Sequence, residues 1–245
     1  MRGCGGGVVL VTMMDWRVEH FDVLASTQNS LKLRVDEDEG LVLCAGVQSG
    51  GHGRHGRVWE SPPGNLYFSF LVKPECKVVA VGQLSLLVGL ALHRVLAGFT
   101  SEALILKWPN DVLMGAARRK CAGILIDCEL AGEDVRSCVV GIGVNICDAP
   151  EYGAALGADV KADDVLARFL AVFDALYVSW WQEGFEAHRR AWLEAAHEKG
   201  APLTVKIGKR LESGVFHDID ALGNAIIEKE DGSRQVISSG EVFLG

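Results

Sequence analysis

Thirteen consecutive residues, Gln48-Ser49-Gly50-Gly51-His52-Gly53-Arg54-His55-Gly56-Arg57-Val58-Trp59-Glu60, carry four glycines, two arginines, two histidines and a tryptophan. Glycine lets the backbone approach a ligand and take positive φ. Free backbone N–H groups flanked by arginines suit an anion, most often a phosphate. An ordinary surface loop has the same composition, with glycine for turns and charge for solubility.

Three other clusters have polar residues where strands need a reason for them. Lys107-Trp108-Pro109-Asn110-Asp111 places a lysine at the end of an apolar run, where the charge needs a partner or a way out to water. Arg118-Arg119-Lys120 opens the apolar run Cys121–Leu125. Gly141-Ile142-Gly143-Val144-Asn145 leaves space along a strand and ends on an amide. Taken singly, each is compatible with a turn or a strand end.

Three other readings of the glycine stretch fail. Gly51-x-Gly53-x-x-Gly56 matches a dinucleotide fingerprint, but that motif needs a helix to begin inside it. Here Pro62 and Pro63 follow and the next element reads as a strand. A kinase glycine-rich loop needs HRD and DFG motifs downstream, and neither occurs. His52 and His55 lack a second ligand pair at zinc spacing.

The elements that must position these clusters alternate between strand and helix. Trp16–Leu24 is predicted as a strand, and Ser26-Thr27-Gln28-Asn29 as a helix N-cap region leading into Leu31–Arg34. Leu41–Val47 is a buried strand that delivers the chain into the glycine stretch. Asn65–Val72 is an aromatic-rich strand, Val79–Gly98 a long helix, and Leu104–Trp108 a strand stopped by Pro109. Val112–Met114 resumes as a short strand. Lys120–Leu130 and Val135–Asn145 read as a hairpin, and Asp163–Trp181 and Phe185–His197 as helices. Beyond Gly200-Ala201-Pro202 come four short strands separated by turn signals, which predict a small β-barrel. The expected division is a flexible leader at 1–15, a main unit at 16–199 and a small one at 200–245.

Composition narrows the class. The chain has 245 residues, 49% hydrophobic, with six tryptophans to fill a core. Its formal net charge of −8 argues against a dedicated DNA binder, which would show a basic face. The apolar run Val78–Leu96 has the length of a membrane span. It holds Gln83, Ser85, His93 and Arg94 and reads as a buried core helix. Seven cysteines, an odd count without a CxxC, fit free thiols in a reducing compartment.

The order of the four clusters resembles that of the biotin protein ligases. Their pattern is a Ser-Thr pair, a GRGRRG-type loop, KWPND, K-x-AGIL and G-x-G-x-N. Here stand Ser26-Thr27, GHGRHG at 51–56, KWPND at 107–111, Lys120 to Leu125, and Gly141 to Asn145. The resemblance runs from about residue 16 to the C-terminus. It implies an α+β fold like that of class II synthetases, with a central mixed β-sheet, packed helices and a C-terminal SH3-like β-barrel. It also implies a cytoplasmic enzyme that uses ATP and Mg²⁺ to convert biotin to biotinyl-5′-adenylate. Biotin then passes to one lysine of a biotin carboxyl carrier domain, in acetyl-CoA carboxylase or a related carboxylase.

The resemblance also assigns residues. Ser26, Thr27, Gln48, Gly51, His52 and Gly123 would bind biotin. Arg54, Arg57, Trp59, Lys107, Asn110, Asp111 and Asn145 would bind ATP or the adenylate, with Asp111 also placing Mg²⁺. Lys120 and Arg54 would be catalytic: Lys120 holds the biotin carboxylate and then the acyl-phosphate oxygens, and Arg54 orders the loop over the phosphate. No nucleophile is required of the protein, which agrees with the lack of a Ser-His-Asp or Cys-His signature. The chain departs from the pattern at His52 and His55, where arginines are expected. Only about 15 residues precede the first strand, so no DNA-binding domain or repressor role is expected, and no membrane partner. The family contains homodimers and monomers. A lipoate or octanoate ligase, or a non-catalytic biotin-binding protein, is the alternative.

Overall fold

The computed structural model describes residues 13–244. The first twelve residues of the expected leader lie outside that range. Near the end of that leader the Met14 N–H donates to Asp174 Oδ1 at 3.0 Å, and Trp16, the first residue of the expected main unit, packs edge-on against Phe70 and Phe173.

β1 (Arg17–Leu24) runs parallel to β2 (Leu41–Gln48), with α1 (Thr27–Lys32) between them. Ser26 caps α1, its Oγ accepting from the Asn29 N–H at 3.3 Å, as the Ser-Thr-Gln-Asn run predicts. β3 (Leu66–Val72) is antiparallel to β2. The chain then crosses through α2 (Val81–Leu96) to β4 (Leu104–Lys107), β5 (Asp111–Met114), β6 (Arg119–Ala131) and β7 (Asp134–Val144). β7 returns to the middle of the sheet, giving the order β1-β2-β3-β7-β6-β5-β4. The Gly141–Asn145 segment is thereby enclosed between β3 and β6.

Alternation along the strands separates two cores. Val42, Phe68, Phe70, Val140 and Ile142 face α2 and the helices α3 (Ala162–Glu183) and α4 (Glu186–Ala195). Leu41, Leu43, Leu71 and Val139 face the other way and pack with Leu31 of α1. Phe70, Phe169 and Phe173 are fully buried, with Phe169 and Phe173 stacked and Phe70 tilted or edge-on to them, each contributing roughly 1.5–3 kcal/mol by burial alone. α2 takes up most of the membrane-length run, and Leu84, Leu87, Leu90, Ala91 and Leu92 are buried in this core.

A second, antiparallel sheet follows Gly200: β8 (Pro202–Ile207), β9 (Arg210–Ile219), β10 (Ala225–Glu228), β11 (Arg234–Ile237) and β12 (Glu241–Leu244), in the order β11-β10-β9-β8-β12. The last strand, four residues at the chain's end, is absent from the sequence expectation. Leu203, Val205, Phe216 and Ile227 join the main core cluster, so apolar packing is continuous between the sheets. Polar ties reinforce it. Trp108 Nε1 donates to the Gly223 carbonyl at 2.9 Å, Arg189 Nε donates to the Ile219 carbonyl at 2.7 Å, and Arg57 pairs with Glu241 at 2.8 Å.

Candidate active site

The polar wall at the end of β2 is built from side chains that satisfy one another. Gln48 Oε1 accepts from the Thr27 N–H at 2.9 Å and from its hydroxyl at 3.2 Å, while Gln48 Nε2 donates to Ser61 Oγ at 3.1 Å. Thr27 Oγ1 lies 2.9 Å from Ser69 Oγ, which in turn donates to Gln28 Oε1 at 3.0 Å. Gln28 Nε2 donates to Asp127 Oδ2 at 3.0 Å and to the Val139 carbonyl at 2.9 Å. Sequence reasoning missed Gln28, Ser69 and Ser61. The signal at Ser69 was available: a lone hydroxyl in the wholly buried strand Leu-Tyr-Phe-Ser-Phe-Leu-Val needs a partner.

The glycine stretch folds as a short antiparallel clip, not as a helix N-terminus. The Gly53 N–H donates to the Arg57 carbonyl at 2.8 Å, and the Trp59 N–H to the Gly51 carbonyl at 2.9 Å. A single 3₁₀ turn, Arg54–Gly56, closes the tip, with His55 and Gly56 at φ 58 and 72. Gly51 is required by close approach: a Cβ there would lie 2.6 Å from both Ser61 Oγ and the Trp59 carbonyl oxygen. Arg54 Nη1 reaches over to donate to Asn110 Oδ1 at 3.0 Å. Burial draws the Arg54 guanidinium below its ordinary pKa, and the negative charge of Asp111 opposes that shift. Asn110 Nδ2 donates to the Ile124 carbonyl at 2.9 Å, tying the KWPND turn to β6.

Gly123 and Gly143 face each other in the β6–β7 register, and together they clear a floor. Trp59 lies on it. A Cβ on Gly143 would sit 2.4 Å from the indole, and one on Gly123 would meet both the indole and Lys120. In a regular strand Lys120 and Gly123 would face opposite sides. The pairing of β5 with β6 slips between Val112 and Leu113, which pair with Ala122 and Lys120 and leave Cys121 as the extra residue. This bulge turns Lys120 onto the glycine face, a re-aiming that bulges commonly perform.

Lys120 Nζ then lies 2.6 Å from Asp111 Oδ1 and 5.0 Å from the Trp59 ring centroid. Lys107 Nζ is 3.7 Å from the other Asp111 oxygen. The Lys120–Asp111 contact is an ion pair in distance but is not directed as a hydrogen bond. Asn145 Nδ2 donates to the Lys120 carbonyl at 3.3 Å, and the Ala154 N–H donates to the same oxygen at 3.0 Å.

Three adjoining cavities meet here. The largest, about 550 Å³, is lined by Arg57, Trp59, Lys107, Asp111, Lys120 and Asn145, with Tyr152 and the β12 residues Val242, Phe243 and Leu244 at its walls. A pocket of about 50 Å³ lies among Ser26, Thr27, Gln48, His52, Asn110 and Gly123. One of about 60 Å³ is lined by Arg54, Arg57, Lys107, Asn110, Asp111 and Glu241. Lys120 lines all three. Every residue singled out from the sequence lines at least one, except Gly51, which lies just behind the wall. Tyr152 and Phe243, both well exposed, were not foreseen. Among the described residues no group of three or more His, Cys, Asp or Glu is placed to hold a metal ion.

This geometry can be set beside known proteins. Residues 20–145 match the Biotin/lipoate A/B protein ligase family, and residues 203–245 match the Biotin protein ligase C terminal domain.

The chain belongs to the biotin protein ligase family.

It is 33% identical over 236 residues to the biotin--[acetyl-CoA-carboxylase] ligase of Paracoccus denitrificans, covering 90% of this chain and 97% of that protein. It is 26% identical to the bifunctional ligase/repressor BirA of Bacillus subtilis, covering 95% of this chain and 75% of that one. The biotin protein ligase from Aquifex aeolicus, solved in complex with biotin and ATP, superposes with a TM-score of 0.78 at 29% identity, over 93% of this chain and 98% of that one. The mixed sheet with packed helices and the C-terminal antiparallel sheet are the biotin protein ligase fold.

Proposed function

We propose that this protein is a biotin protein ligase: it joins biotin to ATP as biotinyl-5′-adenylate, releases pyrophosphate, and transfers biotin to one lysine of a carboxylase carrier domain. The observation that carries this reading is the position of Lys120 at the junction of all three cavities. Adenylation joins a carboxylate to a triphosphate, so negative charge converges on one point and needs fixed cations around it. Lys120 and Lys107 supply them beside Arg54 and Arg57.

In this reading the small pocket takes the ureido ring, with Ser26, Thr27, Gln48, the Gly51-His52 backbone and Gly123 around it. Lys120 leaves Asp111 for the biotin carboxylate and then follows the acyl-phosphate oxygens. The large cavity takes the nucleotide: Arg57 and Lys107 meet the phosphates, Trp59 offers its face to adenine, and Asn110 and Asn145 shape the ends. Arg54 closes the clip over the adenylate. Mg²⁺ enters with ATP as part of the substrate. Such an ion typically takes one or two protein carboxylates and otherwise phosphate and water. Asp111 fits that role as a single carboxylate released from its lysines. Transfer then breaks the acyl–phosphate bond: the carrier amine attacks the acyl carbon and AMP leaves.

The cytoplasm is the compartment this reading implies, in keeping with the free thiols among the described residues. The match to the biotin protein ligase C-terminal domain supports biotin over lipoate as substrate. The deciding experiment incubates the protein with ATP, Mg²⁺, biotin and a carrier domain, and weighs the carrier. One biotinyl group on one lysine is the expected result. Pyrophosphate release with lipoate but not with biotin would point to the lipoate alternative, and binding without transfer to a non-catalytic protein.

A further inference from the structure

The β6–β7 hairpin holds a pair of thiols that the ligase reaction does not use. Cys128 and Cys138 are directly opposed in its register, and their sulfurs face each other across it. Directly opposed residues of an antiparallel pair have Cα atoms about 4.5–5.5 Å apart, within the range a disulfide spans. No backbone movement is needed to bring the two sulfurs together. Both thiols are free. No metal-binding group is formed among the described residues, so metal binding does not account for the pair.

The two sulfurs are also unequal. Cys138 is fully buried, whereas Cys128 is partly accessible. Contact with Cys138 holds the Cys128 thiol below its ordinary pKa. The same contact, together with burial, raises that of Cys138. Access therefore suits Cys128 to the first attack.

We infer that Cys128 and Cys138 form a redox-active pair, closed to a cross-strand disulfide within the hairpin by low-molecular-weight disulfides. The Cys128 thiolate attacks one sulfur of the small disulfide and expels a small thiolate. Cys138, losing its proton, then attacks the mixed disulfide at Cys128 and expels the second. One small disulfide becomes two small thiols, and two protein thiols become one protein disulfide. The staple lies next to Asp127 and Val139, the two acceptors of Gln28 Nε2, so it braces the strands that carry the polar wall of the site.

The test uses the full chain and glutathione disulfide at neutral pH. Intact mass and non-reducing peptide mapping should show loss of two hydrogens, one peptide linking Cys128 to Cys138, and full reversal by a dithiol. The oxidised protein should melt at a higher temperature than the reduced one, because the link restricts the unfolded chain. In Cys128→Ser, Cys138 should stay reduced. A stable glutathione adduct on Cys128, or reaction confined to the exposed Cys147, would overturn the inference. So would a Cys128–Cys138 link that forms only after denaturation.

Discussion

Lys120 and Lys107 share one carboxylate: Asp111 lies 2.6 Å from the first and 3.7 Å from the second. Two cations against one anion leave the cluster with an excess positive charge in a partly buried site. That excess is available to an incoming carboxylate or phosphate. Asp111 keeps both lysines extended into the cavities while no substrate is there.

Lys120→Ala removes the cation common to all three cavities. Pyrophosphate release on mixing with biotin and ATP should fall at least about 100-fold, the typical loss when one charge-stabilising donor is removed. The circular dichroism spectrum and melting temperature should stay near those of the parent, since the side chain is partly exposed and Lys107 still faces Asp111. Near-normal turnover would remove Lys120 from the mechanism.

Arg54→Gly cuts the bond that pins the clip to Asn110. Loosening of the loop should speed escape of the adenylate. The expected outcome is diffuse biotinylation of lysines on bystander proteins, read by mass spectrometry, with adenylate still produced. Labelling restricted to the carrier lysine would show that Arg54 is not the gate.

Gly143→Ala places a methyl 2.4 Å from the Trp59 indole, where a ring edge has nowhere to yield without leaving the floor. Trp59 should be displaced, and KM for ATP should rise on the order of tenfold, about 1.4 kcal/mol of binding. Trp59 fluorescence, isolated by comparison with Trp59→Phe, reports the displacement. An unchanged spectrum and KM would mean that the indole does not rest there in solution.

His197 gives a pH dependence of stability. It is buried against Phe216, and burial lowers its pKa from 6.5 to about 4, with the positive charge of Arg118 contributing less and a backbone hydrogen bond at Glu198 opposing the shift. The folded state therefore resists a proton that the unfolded chain accepts. Between pH 6.5 and about 4 the unfolded state binds more protons, so stability falls as pH falls, by on the order of 3 kcal/mol over the window. Urea denaturation at stepped pH should show this slope, and His197→Phe should flatten it. An equal slope in the variant would assign the effect to other groups.

Much of this protein is legible from its residues alone. The alternation of strand and helix, the Ser26 cap, the hairpin at 120–145 and the change of pattern at Gly200 follow from local periodicity and turn chemistry. The four polar clusters stand out because charge, amide and glycine interrupt otherwise apolar strands. Tertiary structure decided how they meet. Insertion of β7 between β3 and β6 places Gly143 beside Gly123, and the bulge at Cys121 turns Lys120 onto that floor. Gln28 joins the site through partners 99 and 111 residues away. The pairing that makes Glu241–Leu244 a strand arises in the same way, whereas the bulge between Glu129 and Leu130 sets the register that opposes Cys128 to Cys138. Periodicity reports which face of an element is apolar. It carries no information on which strand lies alongside, because that depends on hydrogen bonds and packing formed only once distant segments have come together.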